Sequence, residues 1–185
     1  MERGIENYLQ FLRGDQSAMR SIVELYWDMM LLFTNGYVHN LSDAEDIAQE
    51  ALIELAVRKP PLEEEHQLKG YLFRICRNRA LNHLKKYQRM VGLSPEAEEF
   101  IEDESEEIEA RMDLKDSRLM LHRGLQKLPQ NYREILYLRY FVDLSMRDAA
   151  KVMRITEKQA AAIAYQARQQ LKKILEKEGY SGEEL

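Results

Sequence analysis

Apolar residues recur three and four positions apart along almost the whole chain, and no stretch alternates with period two, so helices are expected throughout and a β-sheet is not. Ile5, Leu9 and Leu12 mark a first helix that stops near Gly14. Asp15 is placed to cap a second, which runs to about Val38 with Ile22, Leu25, Tyr26, Met29, Leu32 and Phe33 turned inward. Ser42 followed by Glu45 is a capping-box pattern, each side chain satisfying a free backbone N–H at a helix start, so a third helix is expected over residues 42–58. Pro60-Pro61 then breaks the chain, the acidic loop LEEEH follows, and a further helix begins near Gln67 and ends before Gly92, Ser94 and Pro95. Four more are expected over residues 113–127, 130–141, 145–153 and 156–178, with Pro129 at a helix start. Ser145 with Asp148 and Thr156 with Gln159 cap the last two, and two helices separated by about three residues have the shape of a helix-turn-helix. The pattern thus predicts an all-α chain of two small helical domains, residues 1–91 and 113–178, joined by a linker at 92–112 and followed by a tail at 179–185.

Charge changes this picture, because the net −5 hides a segregated distribution. Residues 42–55 carry five acidic side chains and no basic one, residues 67–90 carry seven Lys or Arg and no acidic one, and residues 94–109 carry nine acidic and no basic one. On the third helix Ala44, Ile47, Ala51, Leu52 and Leu55 form the packing stripe, while Asp43, Asp46, Glu50 and Glu54 recur on another face. On the basic helix Leu68, Leu72, Ile75, Cys76, Ala80 and Leu84 supply the buried side. Arg74, Arg77, Asn78 and Lys85 recur on a different side, with Lys69, Arg79, Asn82 and Lys86 nearby, a distribution suited to phosphates. Tyr71 and Phe73 are candidates either for stacking on exposed bases or for core packing. The linker reads as a solvated tether, with folding back onto Arg74, Arg77 and Lys85 as the alternative.

Candidate chemistry adds little. The single cysteine, Cys76, allows no internal disulfide and no multi-thiolate metal site, and His39, His66, His83 and His122 stand at no metal-ligand spacing. No phosphate loop or nucleophile elbow is present, so neither a cofactor, a metal nor an enzyme activity is expected. The apolar runs are too short to span a bilayer and the opening residues have no signal-peptide core, which points to a cytoplasmic protein without membrane insertion.

The succession DAEDIAQEALIEL, LKGYLFRICRNRALNHLKK, an acidic linker, and LQKLPQNYREILYLRYFVDLSMRDAAKVMRITEKQA resembles bacterial RNA polymerase sigma factors of the extracytoplasmic-function type, over residues 8–175. The resemblance implies a non-enzymatic factor that binds core RNA polymerase, directs it to promoter DNA and assists opening, with an anti-sigma factor as a further candidate partner. It implies a first domain, sigma region 2, in which Asp43, Asp46, Gln49 and Glu50 dock on polymerase. It also implies that the basic helix grips the −10 element through Lys69, Tyr71, Arg74, Arg77, Asn78, Arg79, Asn82, Lys85 and Lys86. In the last domain, sigma region 4, the −35 element falls to Arg154, Thr156, Lys158, Gln159, Ala162, Ile163, Gln166, Arg168 and Lys172. The alternative is a sigma-like regulator that keeps polymerase docking and has weakened or lost −35 reading; a stand-alone helix-turn-helix repressor would leave the first domain unexplained.

Two segments depart from the family pattern. Pro60, Pro61, Glu63, Glu64 and Glu65 stand where relatives have small, polar or basic residues, so either the loop turns away from DNA or −10 recognition is altered. The stretch QAAAIAYQA, residues 159–167, lacks the charges that relatives place there. Ala160, Ala164, Ala167, Leu171 and Ile174 should face the domain core, made with Leu121, Leu125, Leu128, Ile135, Leu136, Leu144, Ala149, Val152 and Ile155. Ala161, Ala162, Ile163 and Tyr165 should then point outward, to contact thymine methyls or to pack on another protein surface. Arg154 occupies a turn position that is usually Gly, where a positive φ is needed.

Overall fold

The computed structural model describes residues 3–91 and 116–177, and among them every regular element is a helix. The expected linker at 92–112, the first residues of the helix expected from 113, and the tail at 179–185 lie outside the described residues. The helices fall into two compact units. The first holds α1 (Arg3–Leu12), α2 (Ser17–Val38), α3 (Leu41–Arg58) and α4 (Glu65–Val91). The second holds α5 (Asp116–Gln126), α6 (Gln130–Tyr140), α7 (Met146–Met153) and α8 (Glu157–Lys177).

In the first unit α2 is the central helix, packed against α1, α3 and α4. Its C-terminal half is buried without interruption from Met30 to Val38, the polar Thr34 and Asn35 included. Phe33 meets Phe73 of α4 edge-on at 5.2 Å and Tyr37 at 5.4 Å, and Ile22, Met30, Leu32, Leu55, Leu68 and Leu72 fill the space around them. Leu25 does not join this core. It stands 38% exposed at the margin of the stripe centred on Ile22, Tyr26 and Met30, and Met29 is half-buried.

The helix starts follow capping chemistry, with shifts from the expected residues. Asp15 accepts hydrogen bonds from the Ser17 backbone N–H at 2.9 Å and the Ser17 hydroxyl at 2.6 Å, and those bonds hold its carboxyl below the usual range. Ser42 and Glu45 do not open α3. His39 ends α2 in the left-handed region, Asn40 follows in an extended conformation, and its side-chain oxygen accepts from the Asp43 N–H at 2.9 Å. Asn caps as well as Ser, so the helix begins as soon as the preceding one lets it. Lys59 closes α3, also left-handed.

The acidic segment before α4 is not uniformly a loop. The helix begins at Glu65, two residues earlier than expected, because that carboxylate turns into the unit. It accepts from the Ile5 N–H at 2.8 Å and from the Tyr26 hydroxyl, tying the first turns of α1 and α4 to the middle of α2. Tyr8 donates to the Pro60 carbonyl at 2.7 Å beside it. Glu63 and Glu64 remain outside.

In the second unit Leu125, Leu128, Ile135, Leu136, Leu144, Ala149 and Val152 are buried as expected, while Leu121 and Ile155 are half-buried. From α8 come Ala160, Ala164, Ala167 and Leu171. Ile174 is only half-buried, and Leu175, one position on, takes its place against Gly124 of α5. The glycine matters there, since a Cβ would stand 3.0–3.1 Å from Leu171 and Leu175. Pro129 precedes the first turn of α6, and α7 and α8 form the helix-turn-helix.

Candidate functional site

Burying Ala44, Ile47, Ala48, Ala51, Leu52 and Leu55 commits one face of α3 to the core and leaves the other outward. Asp46, Gln49 and Glu50 are exposed on it, and Asp43 is partly so. Two residues of this face are not found by following its acidic and amide positions. Ile53 is 53% exposed and Val57 75% exposed, one turn apart and directly following the acidic cluster. Their exclusion from the apolar stripe of α3 was the signal that could have found them.

The acidic face is joined to α4. The Arg79 guanidinium pairs with Glu50 and, at 2.9 Å, with Glu54, which also pairs with Arg58 at 3.1 Å. His83 stands 3.2 Å from Asp43. Arg79, expected among the −10 contacts, therefore faces α3: it lies on the α4 flank next to buried Cys76 and Ala80, where the neighbouring helix supplies two carboxylates. Asp43 and Glu50, expected to dock on polymerase, each have a basic group within the same unit.

The remaining basic side chains of α4 divide by exposure. Arg74, Asn82, Lys85 and Lys86 are exposed, and Lys69, Arg77 and Asn78 half-buried. Asn82, Lys85 and Lys86 line an open hollow together with Arg89 and Met90, two residues that belong to the basic surface and were not among the expected contacts. Tyr71 is half-buried with the Arg74 guanidinium 5.7 Å from its ring centre, and burial followed by the Glu54 charge raises its hydroxyl above the ordinary range. Phe73 is fully buried against Phe33, which settles its two readings in favour of packing. Cys76 is likewise buried, its thiol pushed up to about 12 chiefly by desolvation.

At the helix-turn-helix, Arg154 has φ 58° and ψ 43°, the left-handed geometry expected of the turn. Thr156 and Gln159 form a complete capping box: the Thr156 N–H donates to Gln159 Oε1 at 2.9 Å, and the Gln159 N–H to Thr156 Oγ1 at 3.2 Å. Both were expected to face DNA, and both spend side-chain groups on starting α8. Lys158, Ala161, Ala162, Gln166, Arg168 and Lys172 are exposed and Ile163 is half-buried. Tyr165 is 60% exposed, and the Tyr132 hydroxyl of α6 donates to Gln166 Oε1 at 2.8 Å.

Comparison with known proteins agrees with this layout. Residues 22–90 match the family model described as sigma-70 region 2, and residues 118–171 match sigma-70, region 4. The chain is 30% identical over 176 residues to the RNA polymerase sigma-H factor of Pseudomonas aeruginosa, covering 89% of each protein. It is 26% identical over 175 residues to the ECF RNA polymerase sigma factor SigW of Bacillus subtilis, covering 90% of this chain and 93% of the relative. Among solved structures, CnrH in complex with the cytosolic domain of CnrY superposes with a TM-score of 0.64 at 19% identity, over 94% of this chain and 97% of that one. RpoE in complex with the anti-sigma factor NepR from Bartonella quintana gives 0.58 at 23% identity, over 83% and 94%. At those identities the two structures speak for the fold. Both region matches, in this order, define a polymerase-binding promoter-specificity factor. The chain belongs to the sigma-70 family, in its extracytoplasmic-function branch. Among the described residues no helix is long and apolar enough to cross a membrane.

Proposed function

We propose that this chain recruits core RNA polymerase to specific promoters and assists their opening, with all bond-making chemistry left to the polymerase. The observation that carries the reading is the pair of oppositely charged faces within the first unit: an acidic face on α3 and a basic one on α4, in the segment that matches region 2. Asp46 and Gln49, with Ile53 and Val57 beside them, offer a mixed surface of carboxylate, amide and aliphatic groups, suited to a partner that brings both cations and apolar side chains. Asp43 and Glu50 extend it once their partners on α4 yield. Arg74, Asn82, Lys85, Lys86 and Arg89 supply phosphate contacts to the −10 strand as it separates, and Tyr71, half-buried beside Arg74, is the ring offered for base stacking. Glu65 is spent inside the unit, so only Glu63 and Glu64 of the acidic loop bear on that strand.

In the second unit Lys158, Arg168 and Lys172, all exposed, are the candidate phosphate contacts, and α8 is proposed as the element that enters the major groove. An anti-sigma factor is a further partner; both structural neighbours are held by one protein partner each, named in one case as an anti-sigma factor. The test is transcription from a pool of genomic fragments by core polymerase with and without the chain, sequencing the transcript starts. New starts sharing a −10 and a −35 element are expected. Binding to core polymerase without new starts would replace this reading with that of a regulator.

A further inference from the structure

The outward line of α8 is unusual for a surface that meets DNA. Lys158, Ala162, Tyr165 and Gln169 succeed one another at helical spacing opposite the buried Ala160, Ala164, Ala167 and Leu171, and all four are exposed. Ala161 is exposed on the flank. Three polar side chains of this segment are engaged within the unit: Thr156 and Gln159 cap each other, and Gln166 Oε1 accepts from Tyr132. No charged side chain stands between Lys158 and Arg168. The centre of the face is therefore two methyl groups and an aromatic ring.

Its ends are cationic. From residue 154 to 173 the chain carries Arg154, Lys158, Arg168, Lys172 and Lys173 against the single acid Glu157. An apolar centre between basic ends fits duplex DNA, whose phosphates line both edges of the major groove and whose floor presents one apolar feature, the C5-methyl group of thymine. We propose that α8 reads the −35 element through thymine methyl groups, with Ala162 and Tyr165 as the specificity-determining side chains and Ala161 as their neighbour. This rests on the reading of α8 as the −35 element's contact. Arg154, Lys158, Arg168 and Lys172 fix register on the backbone, and base identity is set where a methyl fills the space above Ala162 or against the Tyr165 ring. Polar base edges contribute less here than in a helix bearing Arg or Asn at these positions.

The experiment uses holoenzyme and a synthetic promoter carrying the −35 element found by start-site sequencing. Each thymine of that element is replaced singly by deoxyuridine, which deletes the methyl and leaves every hydrogen-bonding group in place. Burying one methyl corresponds to about a four-fold change in affinity, so a loss of that size is expected at one or two thymines and none at uracils placed in the spacer. In a holoenzyme carrying Ala162→Ser, the thymine–uracil difference at one of those positions should disappear. Uracil tolerated throughout, while base-pair changes in the element abolish binding, would overturn methyl readout and leave −35 reading intact. Starts that share no −35 element would overturn both. Because the deoxyuridine series alters only the DNA, its outcome does not depend on the folding of any variant.

Discussion

Glu65 shows what a single side chain can do against the composition around it. In the run LEEEH it looks like one more solvated acid, yet it alone of the three glutamates is buried, held by the Ile5 N–H and the Tyr26 hydroxyl. Burial, then the hydrogen bond and charge of Glu65, push the Tyr26 hydroxyl well above its ordinary range, so Tyr26 stays a donor at every working pH. Glu65→Ala leaves two donors unpaired in a closed site and is expected to cost about 3 kcal/mol in urea unfolding, with Glu65→Gln costing less because one acceptor oxygen survives. Gly4→Ala should be comparably damaging, since a Cβ there would overlap the Tyr26 hydroxyl. None of this was legible beforehand: helical periodicity finds apolar stripes, and a carboxylate buried against a backbone N–H leaves no trace in it. Cys76, which sits on such a stripe, was legible as a core residue. Its raised value of about 12 favours the protonated thiol in the fold. An unfolded thiol ionises near pH 8.5, so this group's contribution to stability is constant below that pH and falls as pH rises toward 12. At pH 8 a maleimide should label the native protein at least a hundred times more slowly than the denatured one; equal rates would mean the thiol is reached without unfolding.

Helix starts and turns belong to the next scale. The capping box at Thr156 and Gln159 was plain from the residues and is formed in full, and so was the left-handed turn at Arg154. Ser42 and Glu45 offered an equally good box that the fold passes over, because the end of α2 at His39 frees Asn40 first. Local chemistry names the candidates, and the neighbouring helix chooses. Thr156→Ala should lower the stability of the second unit by about 1 kcal/mol, read as a shift in thermal midpoint. Arg154→Gly should move the midpoint the other way: a side chain in the left-handed region costs about 1–2 kcal/mol that glycine avoids. If the guanidinium serves a phosphate, that same variant binds its promoter more weakly while melting later, and the two effects separate strain from contact.

For the molecule as a whole, periodicity sufficed to give an all-helical chain with two cores, since three- and four-residue spacing survives any arrangement of the helices. The functional faces were less legible. Charge placed α3 and α4 correctly as an acidic and a basic element. Which flank of α4 meets α3 depends on packing, so the charge pattern alone does not reveal that Arg79 pairs with Glu50 and Glu54 of α3. That bridge also bears on how holoenzyme assembly responds to electrolyte. If Glu50 docks on polymerase as proposed, the cation that takes it makes one ion pair and displaces another, so the transaction is an exchange rather than a neutralisation. Added salt screens the pair lost as well as the pair gained. Holoenzyme affinity should therefore decline with ionic strength less steeply than the number of acidic residues on α3 would imply. Removing the internal competitor with Arg79→Ala should tighten binding in dilute buffer and steepen that decline, as followed by titrating core polymerase against fluorescently labelled protein through a potassium glutamate series. Two parallel curves would mean that Glu50 meets the polymerase with Arg79 still attached, so that the factor presents the bridge itself, rather than a bare carboxylate, to its partner.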